Sequence, residues 1–271
     1  MGLPQELVDH IMNTLRDDLP TLKACSLVCK AMFASTRHLI HRTLRLTVRK
    51  NRSIVPRDFR GWIDNDSELR FVSYVGERGL LQYTRVVHLD MFCHFSPEIL
   101  LFHRRHLRSL DQVRTLIIEH YDALFWLNHY NTLFANFRHA VTSLTLSRPV
   151  SHCQHVLQFI PQFPRLENLC LEWLKSEGWF QQGLTVPVVV DQPSLRGHLR
   201  LAGTVTVARL LVASTCQLSE RINFRSVELE AFCGEDAQRI LSVCAHTLED
   251  LTIAPLRTGT RKFLPWPAIV G

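Results

Sequence analysis

Apolar residues recur along this chain in two rhythms, one helical and one alternating. Over residues 3–42 the spacing is helical. Leu7, Ile11 and Leu15 stand at i, i+4 and i+8, with Val8 and Met12 beside them. That stripe predicts a first amphipathic helix with Leu7, Ile11 and Leu15 lining one face. Pro4 suits its first turn, where a missing N–H costs nothing. Arg16-Asp17-Asp18-Leu19-Pro20 breaks the helix. A second helix is expected over about residues 21–29, with Leu22, Cys25, Leu27 and Val28 inward. A third is expected over about residues 30–42, with Phe33, Leu39 and Ile40 inward. Such a short unit lies near the lower limit of independent stability, so a partner helix that completes its core would help it.

Beyond it the rhythm becomes that of strands. Short segments match L-x-x-L-x-L loosely: Val86-Leu89-Met91, Val113-Leu116-Ile118, Val141-Leu144-Leu146, Leu166-Leu169-Leu171, Arg196-Leu199-Leu201, Phe224-Val227-Leu229 and Leu248-Leu251-Ile253. Their first positions lie 27, 28, 25, 30, 28 and 24 residues apart. His41-Leu44-Leu46 reads as an additional leading strand. A period of this length predicts one supersecondary unit per repeat, stacked on its neighbours. The expected fold class is therefore α/β: a short N-terminal three-helix unit, then an irregular β-α solenoid. The boundaries are 1–48 for the helical unit, 49–80 for a basic linker or insertion and 81–271 for the array.

Residues 97–110, 124–140, 206–216 and 235–245 carry helical apolar spacing and supply return elements. Residues 174–193 do not, and read as a loop. Side chains alternate along a strand. With the L-x-L leucines facing the core, their neighbours face the open, concave side. These are His88 and Asp90, Thr115 and Ile117, Ser143 and Thr145, Asn168 and Cys170, His198 and Arg200, Ser226 and Glu228, Asp250 and Thr252. Mixed polar residues on such a wall suit protein recognition better than one small ligand. The candidate substrate-binding residues are His88, Asp90, Thr115, Asn168, Arg200, Glu228 and Asp250.

Composition narrows the function further. A hydrophobic content of 46% is ample for a core. No apolar run reaches the ~20 residues of a membrane span, and no secretory signal opens the chain, so a cytoplasmic or nuclear address is expected. The eight cysteines form no C-x-x-C pair and read as buried free thiols. The net charge is +6. Residues 37–60 carry eight Lys/Arg against one acid, Asp58, which would attract an acidic partner. Among the fourteen histidines, His103-x-x-His106 and His152-Cys153-Gln154-His155 lack the spacing of a tetrahedral zinc site. Neither a nucleophile elbow nor a phosphate loop nor a dinucleotide fingerprint is present. Asp17-Asp18 reads as helix capping rather than acid–base chemistry. No enzyme activity, cofactor or metal is expected.

The N-terminal segment resembles an F-box. The residues that carry this are Leu3-Pro4-Gln5-Glu6-Leu7, matching the L-P-x-E-[LI] opening, and Leu22-Lys23-Ala24-Cys25-Ser26-Leu27-Val28-Cys29-Lys30, matching its centre. The strand series resembles the irregular leucine-rich repeats found behind F-boxes, with a texture similar to the expanded families of mushroom-forming basidiomycete fungi. The resemblance implies a substrate receptor of a Skp-cullin-F-box type E3 ubiquitin ligase. It implies that Leu3, Pro4, Leu7, Ile11, Leu22, Cys25, Leu27, Val28 and Cys29 bury against the Skp-type adaptor or hold the three helices together. Two departures stand out: the motif starts at the third residue, and Phe33 replaces the usual tryptophan after the C-K pair. The array closes on Pro267-Ala268-Ile269-Val270-Gly271 without a polar capping element, as a truncated array would. The alternative is a repeat scaffold outside any ligase, associated with nucleic acid through the basic residues 37–60. Aromatic residues there are sparse, which disfavours nucleic acid.

Overall fold

The computed structural model describes residues 3–48, 79–91, 110–119, 134, 136–147, 159–172, 195–203, 222–230 and 234–254. Three helices come first: α1 Gln5–Thr14, α2 Leu19–Cys25 and α3 Lys30–Ile40. Eight strands follow: β1 Thr43–Val48, β2 Val86–Met91, β3 Thr115–Glu119, β4 Ser143–Ser147, β5 Asn168–Glu172, β6 Leu195–Ala202, β7 Ile222–Glu230 and β8 Asp250–Ala254. Helix α4, Gly234–Cys244, lies between β7 and β8, where acidic residues 235–236 start the expected return helix. The 49–78 linker, most of the 97–110 and 124–140 segments, the 174–193 loop and the 206–216 segment lie outside the described residues.

The strands form one parallel sheet in the order β1 to β8, each beside its chain neighbour. The register explains why. Leu44, Val87, Leu116, Leu144, Leu169, Leu199, Val227 and Leu251 form one row across it. Leu46, Leu89, Ile118, Leu146, Leu171, Leu201, Leu229 and Ile253 form the next. A slip of one residue would turn both rows to water. From Val87 to Leu229 these side chains are buried. They pack on a layer made by the inter-strand segments, including Phe134, Phe137, Phe159 and Phe163, and Ala237, Ile240 and Cys244 of α4.

One repeat frame is corrected by this register. Val87 pairs with Leu116, and Leu89 with Ile118. The second repeat therefore begins at Thr84, not at Val86. Thr84 takes a leucine position, is buried, and donates its hydroxyl to His41 O at 3.3 Å. A threonine there hides the frame, and the apolar Val86 and Met91 suggest a false one. In consequence His88 aligns with Ile117, and Asp90 with Glu119, one row later than expected.

The helical unit has a small interior of Val8, Met12 and Leu22, with Leu15, Cys25, Met32, Leu39 and Ile40 packed around it. Asp18 caps α2, accepting from Thr21 N at 3.1 Å and from the Thr21 hydroxyl at 2.6 Å. That settles the capping expectation for the acidic pair at Asp18. On α1 the fold buries Val8 and Met12 and leaves Leu7 and Ile11 exposed. Leu27, Val28 and Phe33, expected inward, are exposed too. Helix α1 carries two adjacent apolar stripes, and two short partner helices cover only one. Helix α3 buries Ser35 and Thr36, whose hydroxyls bond to the Ala31 and Met32 carbonyls of its own preceding turn.

Candidate functional site

Two surfaces stand out, one apolar and one charged. The apolar one belongs to the helical unit. Leu3, Leu7 and Ile11 follow one another at helical spacing along α1 and its approach, and all are exposed. Leu27 and Val28, in the turn between α2 and α3, are 87% and 68% exposed, and Cys29 beside them is exposed as well. Leu19 and Phe33 complete the set. Clustered exposure of this kind marks an interaction surface more often than an isolated exposed leucine does. Of the nine residues singled out in the sequence, seven are exposed here: Leu3, Pro4, Leu7, Ile11, Leu27, Val28 and Cys29. Leu22 is fully buried in the interior, so its role is to hold the helices. Cys25 is half-buried against that interior.

A polar lock sets α1 on α3 behind this surface. The Ser35 hydroxyl lies 2.6 Å from Asp9 Oδ1, and the Gln5 amide donates to both, at 2.7 Å to Ser35 and 2.9 Å to Asp9. These bonds, Ser35 first and Gln5 second, hold the Asp9 carboxyl below its ordinary range. A lowered folded-state value stabilises the fold at neutral pH, and that stabilisation fades as pH falls through the lowered value. In Ser35→Ala the Asp9 carboxyl is expected to titrate closer to its ordinary value, which a carbon-detected NMR titration of the side chain checks.

The charged surface is the face of the sheet opposite the core. One row reads Arg45, His88, Ile117, Thr145, Cys170, Arg200, Glu228 and Thr252. The row toward the strand starts contains Thr115, Ser143, Asn168, His198, Ser226 and Asp250. The row toward the strand ends contains Asp90, Glu119, Glu172 and Glu230. The glutamates of this last row were missed as candidates. Their signal was present, since each directly follows the second core residue: Ile118-Glu119, Leu171-Glu172 and Leu229-Glu230.

Charges on this face are paired across strands. His88 Nε2 lies 2.8 Å from Glu119 Oε1. Arg200 sits among Glu228 at 3.4 Å, Glu230 at 3.5 Å and Glu172 at 3.9 Å. His198 Nδ1 meets the Ser226 hydroxyl at 3.0 Å. Burial lowers the His198 pKa against the raising effect of Glu228, so its ring is neutral near pH 7. Cys170 is buried, and burial first and Glu172 second push its thiol well above the ordinary range. Such a thiol is no nucleophile. Burial likewise pushes Cys244 up to about 11. The expectation of buried free thiols holds for these two and fails for Cys29, which is exposed.

Of the seven candidate substrate-binding residues, Arg200 and Glu228 come together as an ion pair. His88, Thr115 and Asn168 stand half-buried on other strands, and Asp250 is exposed on β8. The side chain of Asp90 lies outside the described residues, as do His103, His106, His152 and His155. Among the described residues no group of three or more His, Cys, Asp or Glu could hold a metal. Among them, too, no helix is long and apolar enough to cross a membrane.

No family model matches the chain, and no curated protein matches it.

Proposed function

We propose that this chain is the substrate-recognition subunit of a Skp-cullin-F-box type ubiquitin ligase. In this reading residues 1–48 are an F-box that docks the Skp-type adaptor. The parallel sheet is the inner wall of an irregular leucine-rich-repeat solenoid that presents a protein client. The chain itself is non-catalytic, needs no cofactor, and works in the cytoplasm or nucleus by raising the effective concentration of client near the ligase.

One observation carries the reading: the exposed apolar set Leu3, Leu7, Ile11, Leu27 and Val28 falls among the residues to which the F-box resemblance gives adaptor docking. A unit this small cannot bury two apolar faces by itself. Its interior holds Val8, Met12 and Leu22, and its second face awaits a partner. Burial of a large apolar side chain contributes roughly 1.5–3 kcal/mol, so a few of these residues suffice to hold an adaptor helix. The sheet supports the client half, because its order and register bring polar and charged side chains of successive strands onto one face.

The experiment is co-expression of the full chain with the Skp-type adaptor of the same organism, followed by size-exclusion chromatography. Co-elution as a stoichiometric complex supports the reading. Separate elution of two folded proteins refutes it.

A further inference from the structure

Arg42, Arg85 and Arg114 stand on three adjacent strands, one residue ahead of the paired rows. Backbone bonds fix this alignment. Arg85 N donates to Arg42 O at 2.8 Å, Arg114 N donates to Arg85 O at 2.8 Å, and Thr142 N donates to Arg114 O at 2.9 Å. The three arginines thus stand in register as a ladder along the rim of the sheet where the strands begin. Arg42 and Arg114 are exposed and Arg85 is half-buried. Two of them are aimed by the backbone: Arg85 Nη1 donates to Gln82 O at 2.9 Å, and Arg114 Nη1 donates to Ala140 O at 3.3 Å. Arg37 extends the positive edge, lying 5.2 Å from the centre of the Tyr83 ring.

Among the described residues no ion pair joins Arg42, Arg85 or Arg114 to a carboxylate. The rest of the rim behaves otherwise. Its next positions are Thr142 and Glu167, and Arg225 further along is paired with Glu249 at 3.7 Å. Like charges opposed on neighbouring strands destabilise each other. Among the described residues no carboxylate pairs with these arginines to offset that repulsion.

We propose that this ladder captures a short acidic segment of a protein partner. Its length decides between partners. Strands lie about 4.8 Å apart, so three arginines span about 10 Å, or about three residues of an extended peptide. Guanidinium groups pair bidentately with carboxylates, which rewards a short acidic run. Affinity for nucleic acid grows with the number of phosphates neutralised, and three arginines over so short a span reach few. Tyr83, the aromatic ring beside it, already has one face under Arg37. The proposal deepens the client half of the receptor reading, but its test needs no adaptor, so each can fail without the other.

The test is fluorescence anisotropy of the full chain with fluorescein-labelled hexaglutamate, and separately with a labelled single-stranded DNA of about 20 nucleotides, at about 50 and 200 mM salt. Wild type is expected to bind hexaglutamate at the lower salt and to bind it more tightly than the DNA. Arg42→Glu/Arg114→Glu is expected to weaken peptide binding at least about ten-fold, and Arg42→Lys/Arg114→Lys less than about three-fold. Arg165→Glu/Arg225→Glu changes the net charge equally and is expected to stay within about two-fold of wild type. Should the ladder variant unfold, Arg42→Glu alone decides, because its side chain makes no hydrogen bond or ion pair among the described residues. Absence of peptide binding overturns the proposal. So does equal loss in both charge-reversed pairs, or DNA binding that is tighter and lost through the same arginines.

Discussion

Gly197→Ala is expected to destabilise the protein by about 3 kcal/mol or more. Gly197 adopts φ +84°, a left-handed backbone that side chains disfavour. It also sits where two backbones meet. His198 N donates to Glu167 O at 2.7 Å, which draws β6 against the approach to β5. A Cβ at Gly197 would overlap the Glu167 carbonyl oxygen and lie 3.0 Å from its carbonyl carbon. Neither strand can yield without breaking that bond and shifting the register. The β6–β7 pairing is already irregular here, where β7 takes in one extra residue at Gly197/His198. Gly79 is the internal control. Its φ of +66° is similar, but nothing lies within 4 Å of a built Cβ. Gly79→Ala should therefore cost only the left-handed strain, about 1–2 kcal/mol. Urea unfolding of both variants separates strain from collision.

Phe159→Ala is expected to cost about 3–5 kcal/mol. Phe134, Phe137, Phe159 and Phe163 are all fully buried and form the layer beneath β4 and β5. Phe159 lies 5.2 Å from Phe163 in an edge-to-face arrangement and 6.1 Å from Phe134. Such pairs contribute about 0.5–1.5 kcal/mol beyond burial. Truncation would leave a cavity beside the Phe134 and Phe163 rings. Thr145→Ala, on the opposite face of β4, is expected to stay within about 0.5 kcal/mol of wild type. A cooperative urea transition that moves for Phe159→Ala and not for Thr145→Ala would confirm where the core lies.

The sheet was legible in the sequence because each L-x-L pair is short, apolar and repeated, and a parallel register simply stacks such pairs. It was legible down to the leading strand, where Leu44 pairs with Val87. Failure came where one polar residue took an apolar place. Thr84 is buried and satisfied by a neighbouring carbonyl, so its hydroxyl costs little, but no pattern of leucines can reveal it. In the helices Leu27, Val28 and Phe33 read as inward and are exposed. Leu7 and Ile11 are as apolar as Val8 and Met12, and the helical period cannot say which stripe the fold covers. Packing decides that, and an exposed apolar stripe looks like a core in one dimension. The charged face was read only in part. Arg200 and Glu228 were found by alternation, whereas Glu119, Glu172 and Glu230 lie one step past the leucines and were passed over. The arginine ladder is hidden still deeper, because Arg42, Arg85 and Arg114 are distant in sequence and meet only through the register.

The account turns on whether the exposed face of the three-helix unit is a docking surface. The most direct measurement is titration calorimetry of the purified Skp-type adaptor into the full chain, wild type and Leu7→Asp/Val28→Asp. Both positions are exposed, so the variant should unfold at the same temperature as wild type. The account predicts saturable binding by wild type, with the negative heat-capacity change of apolar burial, and at least about 30-fold weaker binding by the variant. Equal affinity of the two proteins, or no heat from a folded wild type, would contradict it.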